Sequence, residues 1–168
     1  MEQAIISGIA HDTSEAKVTI LEVPDRPGIA AAIFRPLAYG DVNVDMIVQN
    51  VAADGRTDVS FTVPKDDLEK ARPILAAIDG AVGGRGVTTD TEVGRVSLVG
   101  AGMKTHPGVA AEMFDALADA GINIEIISTS SIRISCLVRA ADVEPAVQAV
   151  HQRFRLSEPV VLEEAYGD

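Results

Sequence analysis

Apolar and polar residues alternate in KVTILEV at 17–23 and in RVSLVGA at 95–101, the two-residue period of a strand that buries one face. Each run meets a proline-glycine turn, DRPG at 25–28 and THPG at 105–108, and the period then lengthens. With Gly28 set on Gly108, Ala31 falls on Ala111, Phe34 on Phe114 and Leu37 on Leu117, a spacing of three that predicts one apolar helical face in each half. VNVDMI at 42–47 then falls on INIEII at 122–127, with Asn43 on Asn123 and Asp45 on Glu125, and a one-sided strand is predicted in each. After a turn marked in the first half by Asp54-Gly55, DVSFTV at 58–63 aligns with RISCLV at 133–138 as a third strand. Second helices are predicted to open at Lys65-Asp66-Asp67 and Ala141-Asp142, whose acids favour a helix N-terminus. Their apolar residues Leu68, Ala71 and Leu75 match Val143, Ala146 and Val150. AVGGRGVTTD at 81–90 closes the first half as a glycine-loosened strand, and PVVLEEAY at 159–166 closes the second as a firmer one.

Each half therefore reads strand, helix, strand, strand, helix, strand. This predicts an α+β protein of two tandem ferredoxin-like βαββαβ units, over 16–92 and 93–168. Two helices cover one face of such a sheet, so its other face or its edges remain for pairing with the sister unit or a second chain. QAIISGIA at 3–10 is strand-like and precedes the first repeat, and residues 1–15 are read as an N-terminal strand available to the second unit.

Composition narrows the function. With 168 residues and 47% hydrophobic content, the chain can build real cores. A formal net charge of −11 without a local basic patch argues against nucleic acid and anionic lipid as partners. No apolar run approaches the ~20 residues of a membrane span, MEQAIISG lacks a basic signal-peptide start, and the single Cys136 in an apolar strand fits a reducing cytoplasm.

Enzymatic signatures fail in turn. Gly100-Ala101-Gly102 follows a strand, but Thr105 stands where a dinucleotide loop needs its third glycine. There is no phosphate-binding G-x-x-x-x-G-K-[ST] run, and His11, His106 and His151 lie in different elements without metal-ligand spacing. Asp66-Asp67 and Glu163-Glu164 are adjacent acids that diverge on a helix or strand and read as solvated. No cofactor and no metal are expected.

The doubled turn has the chemistry of an amino-acid cradle. Pro27 sets the start of the helix, Gly28 lets the backbone come close, and the first-turn N–H groups of Gly28, Ile29 and Ala30 are expected to stay unpaired and to hold a carboxylate. The helix dipole assists the anion, while Asp25 or strand carbonyls near Asn43 suit an ammonium group. A plain helix start is the bland alternative, and coupling to the NVDMIVQN strand weighs against it.

Two copies of strand, proline-glycine turn, helix and (I/V)N(I/V) strand resemble a pair of ACT domains. GIAHDTSEAKVT, DRPGIAAAIF, NVDMIVQN, VSLVGAGMKTHPGVAAEMF and NIEIISTSSIRIS resemble, over nearly the whole chain, the regulatory portion of bacterial aspartate kinase. That family implies a short regulatory (beta) subunit translated from an internal start, where Met1 would stand, with the ATP- and aspartate-binding catalytic half absent. It implies feedback inhibition by threonine, lysine or both, a homodimer in isolation and an α2β2 assembly with the catalytic long subunit. Carried over by motif, the effector site would use Asp25, Arg26, Pro27, Gly28, Ile29, Ala30, Asn43, Asp45 and Gln49. From the second unit, facing the first across a shared interface, it would use Ala110, Asn123, Ile124 and Ser130. Ala52 stands where relatives commonly carry serine and Ser131 where they commonly carry glutamate, which predicts altered sensitivity, above all to lysine. Thr105 replaces the acid of the first turn, so only the first turn is expected to cradle an amino acid well. A stand-alone amino-acid sensor built from the same tandem units is the alternative.

Overall fold

The computed structural model describes residues 5–51, 53–103 and 106–155. They form two compact units, one over 14–91 and the other over 92–155 together with 5–13. The first contains β2 (Glu15–Pro24), α1 (Ile29–Tyr39), β3 (Asp45–Gln49), β4 (Arg56–Pro64), α2 (Leu68–Val82) and β5 (Val87–Asp90). Its strands pair antiparallel in the order β3-β4-β2-β5.

The second unit contains β6 (Val93–Ala101), α3 (Gly108–Asp119), β7 (Ile126–Thr129), β8 (Arg133–Arg139) and α4 (Val143–Arg153). Its sheet runs β1-β6-β8-β7, so β1 (Ile5–Asp12) occupies beside β6 the place that β5 takes beside β2. The second unit is thus a circularly permuted version of the first, with its outer strand drawn from ahead of the inserted first unit. The firmer strand expected at 159–166 lies outside the described residues.

Helix burial corrects one reading of the pattern. In α1 the stripe is Ile29, Ile33 and Leu37, Phe34 is half-buried, and Ala31 faces solvent. In α3 the buried residues are Met113, Ala116 and Leu117, while Ala111 is exposed. Two steps of three residues carry a position about a third of a turn away from its start, whereas steps of four drift less and keep large side chains over the sheet. The second helices follow expectation and extend it: Leu68, Ala71 and Leu75 continue into Ile78 and Val82, and Val143, Ala146 and Val150 are joined by Val147. Single 3-10 turns at Lys65–Asp67 and Ala140–Asp142 precede them.

The second strands also begin later than alternation predicts, at Asp45 rather than 42 and at Ile126 rather than 122. The helix ends consume the difference. Asp41 and Gly121 turn left-handed, at φ +57° and +71°, and the N–H groups of Val42 and Ile122 close back on the carbonyls of Leu37 and Leu117 at 2.9 Å. Val42 and Ile122 still bury their side chains, which is why the strand pattern extends through a segment that is not strand.

The core of the first unit places Val18, Ile20, Val59 and Phe61 under the two helices, with Phe61 meeting Phe34 edge-on at 5.1 Å. That of the second places Val96, Leu98, Ile134 and Cys136 there. Burial pushes the Cys136 thiol up to about 12, so the protonated, unreactive form holds at neutral pH. Removing a fully buried side chain such as Leu37 with Leu37→Ala should cost about 2–5 kcal/mol in urea unfolding. Cys136 should resist a thiol reagent at pH 8 in the native protein and react on unfolding. Rapid native labelling would contradict the core placement.

Candidate functional site

A bulge positions the first turn. β2 slips register against β4 between Ile20 and Val23, where Glu22 adopts φ +48°. The Glu22 N–H donates to Asp58 Oδ1 at 2.9 Å and its carbonyl accepts from Arg56 Nη1 at 2.6 Å, which fixes the end of the strand. The chain leaves through Asp25, whose N–H donates to the Gly55 carbonyl at 2.9 Å, and passes Arg26, Pro27 and Gly28 on the exposed surface.

One detail differs from the sequence expectation. The Ile29 N–H is not unpaired: it donates to the Arg26 carbonyl at 3.2 Å because the turn closes on itself before the helix starts. Gly28 takes a left-handed φ of +89°, which favours glycine, and a Cβ placed there would meet nothing of this chain within 4 Å. Ile29 points into the core, so only its backbone is available to a ligand, while Ala30 is exposed.

Strand register separates the remaining candidates. Gln49 pairs with Val59, itself opposite Ile20, and lies toward the sheet end from which the DRPG turn departs. Asp45 pairs with Thr62, opposite Lys17, roughly 20 Å along β2 from Pro24 at about 3.3 Å per residue. Asn43, exposed in the segment before β3, lies beyond it. The Asp45 Oδ1 accepts the Met46 N–H at 2.8 Å and so supports the left-handed Met46 at φ +47°.

The second unit repeats this division. Asn123 and Ile124 precede β7 near Glu125, whose N–H donates to the Leu137 carbonyl and whose carboxylate meets Arg139 at 3.3 Å. At the other end Ala110 and Ser130 come together in an open pocket of about 470 Å³. Met103, His106, Pro107, Thr129, Ser131 and Ile134 complete its walls. The sequence favoured the first turn as the cradle, whereas this pocket stands at the second; Thr105 itself lies outside the described residues.

The local chain explains how the pocket is held. The His106 ring pairs through Nδ1 with the Gly102 carbonyl at 2.7 Å, and the Val109 N–H donates to the His106 carbonyl at 3.1 Å. Opposite, Ser130 Oγ accepts the Arg133 N–H at 3.1 Å and tightens the β7–β8 turn. Hydroxyls on one side, the start of α3 on the other and apolar Met103, Ala110 and Ile134 between them suit a small amphiphilic ligand. Among the described residues, no carboxylate lines this pocket. Sequence reasoning set His106 aside for want of metal-ligand spacing, and its signal was its place inside the repeated proline-glycine turn.

The two turns are not equivalent in backbone either. Gly28 is left-handed and precedes its helix, while Gly108 is the first residue of α3 after a helical Pro107. No three of His, Cys, Asp and Glu cluster as a metal site among the described residues, and no helix is long and apolar enough to cross a membrane. The edge strands β3 and β7 expose Ile47 at 53% and Ile127 at 47%, matching positions of the repeat.

A family model described as ACT domain matches residues 9–77 and 96–154. An aspartokinase of Corynebacterium efficiens is 49% identical over 158 residues, which make up 93% of this chain and 38% of that protein. The chain spans 38% of the length of the first curated relatives it matches. The ligand-free regulatory subunit of aspartate kinase from Thermus thermophilus is similar at 40% identity and a TM-score of 0.85, covering 89% of this chain and 99% of that one. A crystal structure of aspartokinase alpha and beta subunits is similar at 42% identity and a TM-score of 0.84, covering 90% and 99%.

The two glycines should respond oppositely to alanine. Gly28→Ala should destabilise by roughly 1–2 kcal/mol through its left-handed backbone, and Gly108→Ala should be neutral or stabilise by up to about 1 kcal/mol inside a helix. Thermal unfolding of both variants checks this, and equal effects would contradict the different backbones of the turns.

Proposed function

This chain belongs to the ACT domain family and corresponds to the regulatory part of an aspartokinase; from that premise we propose that it binds threonine, lysine or both and imposes feedback inhibition on the first step of the aspartate pathway. The observation that carries the reading is the convergence of Ala110 and Ser130 on a small pocket at the start of α3. The repeat presents a second, acid-bearing turn at Asp25. By itself the chain carries out no phosphotransfer, and it needs no cofactor.

The chemistry favours threonine at the pocket. Hydroxyls of Thr129, Ser130 and Ser131 can meet a hydroxyl side chain, whereas the lysine ammonium would enter walls that hold no carboxylate among the described residues. The α-ammonium of any amino acid needs an anion as well, and exposed Asp25 supplies one if first and second units of different copies adjoin. Asn43, Asp45, Asn123 and Ile124, toward the other sheet ends, then belong to a second effector position. The exposed apolar edges at Ile47 and Ile127 support a homodimer. The similar structure that holds aspartokinase alpha and beta subunits supports an assembly with a catalytic long subunit, for which α2β2 in the cytoplasm is the proposed form. Ligand at the dimer interface would stabilise the associated state, so inhibition works by population shift rather than by blocking an active site.

Asp25→Ala should weaken threonine binding by about tenfold to a hundredfold in calorimetry without loss of helical signal, the range expected for a charge-assisted contact. Ser130→Phe should do similar damage by filling the pocket; a folded variant that binds normally would remove its residue from the site. Sedimentation across a dilution series should show the dimer tightened by saturating threonine. A dimer equilibrium indifferent to bound threonine would refute the interface mechanism.

A further inference from the structure

Only the first unit distorts the central strand that feeds its turn. From Ile20 to Val23 the chain takes three steps on β2 against two on β4, so the segment holds one extra residue, and Glu22 within it is left-handed at φ +48°. The offset that sets Val18 on Val96 sets Glu22 on Gly100. There β6 pairs with β8 without a slip from Val93 to Val99, and Gly100 is not left-handed. The offset that sets Asp58 on Arg133 sets Arg56 on Ser131. Bulge, arginine and left-handed turn glycine thus occur together in one copy and are absent together from the other.

Charged side chains hold Glu22 at three points. Its N–H donates to Asp58 Oδ1, its carbonyl accepts from Arg56 Nη1, and its carboxylate meets Arg85 Nη1 at 2.9 Å. The same Arg56 Nη1 also donates at 3.0 Å to the carbonyl of Gly83, the left-handed cap of α2. Resting on the reading that Asp25 meets the ligand, we propose that Arg56 is the positioning residue of the effector turn: by bridging the Glu22 and Gly83 carbonyls it holds the bulge that aims Asp25. A left-handed backbone is unfavourable for a residue with a Cβ and relaxes unless its surroundings fix it. Without the bulge, the residues after Glu22 would shift by one against β4 and present the opposite faces.

Arg56 does this without touching the ligand. Its backbone pairs with Pro24, and the carbonyl of its neighbour Gly55 accepts the Asp25 N–H, so guanidinium and turn are anchored in one short stretch of chain. Ser131, at the equivalent place in the second unit, lines the pocket at the second turn, which sets Arg56 at the corresponding end of the first sheet. A turn held in one arrangement binds in proportion to the fraction of time it is competent, and two hydrogen bonds from one half-buried guanidinium raise that fraction. Through Gly83 the end of α2 is tied to the same arrangement.

Arg56→Ala in the full chain should stay folded and weaken threonine binding about tenfold in calorimetry, as the competent arrangement falls to about a tenth of the population. Amide exchange should quicken at Glu22, Val23 and Asp25 and stay unchanged at Val18 and Phe61 in the core of the same sheet, a local signature that general destabilisation would not give. Arg56→Ala combined with Asp25→Ala should bind no more weakly than the weaker single variant, because a misplaced turn no longer presents Asp25. Should Arg56→Ala fail to fold, Arg56→Gln, which keeps a shorter donor, faces the same three measurements with a smaller loss expected. The proposal is overturned if the arginine variant binds threonine like the wild type while Asp25→Ala does not, or if the two losses add in full. It is equally overturned if exchange quickens throughout the sheet or if neither variant folds. A wild-type chain that binds no threonine, or an Asp25→Ala variant that binds it normally, overturns the reading of the first turn itself and the role of Arg56 with it.

Discussion

Pairing of β1 with β6 is the contact on which the second half of the molecule depends. Without it β6 would be an edge strand, and Ile9, at the core of that unit, would leave an apolar gap beneath α4. The first unit has no such dependence, because its outer strand follows α2 directly in sequence. One contiguous unit and one closed by a distant segment therefore come from nearly the same pattern. The buried Arg95–Asp12 pair sits on this seam, where the cost of an unpaired guanidinium discourages loss of the acid-bearing strand.

Much of the fold was legible. The repeat predicted both sheets and all four helices, and the register of β4 against β2 and of β8 against β6 follows from alternation that only one pairing satisfies. What failed to show in sequence was governed by backbone closure. Val42 and Ile122 alternate like strand residues but serve to end a helix, and Ala31 keeps the spacing of a helical face that the drift of 3.6 residues per turn moves to the solvent side.

The site was less legible for a related reason. Motif matching collects residues along the chain, whereas a strand of seven residues places its ends about 20 Å apart. Asp25 follows β2 and Asp45 opens β3, with only α1 between them in sequence, and no property of either residue announces that register sends them toward opposite ends. His106 and Thr129 are the converse case: twenty-odd residues apart and dissimilar, they meet because β6 and β7 finish at the same end of one sheet. The burial of 41–50 and 121–130 is the same at all ten positions, with Val42 and Met46 matching Ile122 and Ile126 as the buried ones, so the two copies kept this architecture while their proline-glycine turns diverged.

The order of synthesis gives the permutation a further meaning. β1 is made before the first unit, yet its partner β6 emerges only after that whole unit has left the ribosome. At roughly 5–20 residues per second that is a delay on the order of 5–20 s. During that time IISGIAHD is a nascent strand with Ile5, Ile6 and Ile9 and no partner, while the contiguous first unit can already complete its own sheet. The chain thus carries an interval of exposure to misassembly or chaperone capture, ended only when β6 recruits the segment made ahead of the whole first unit.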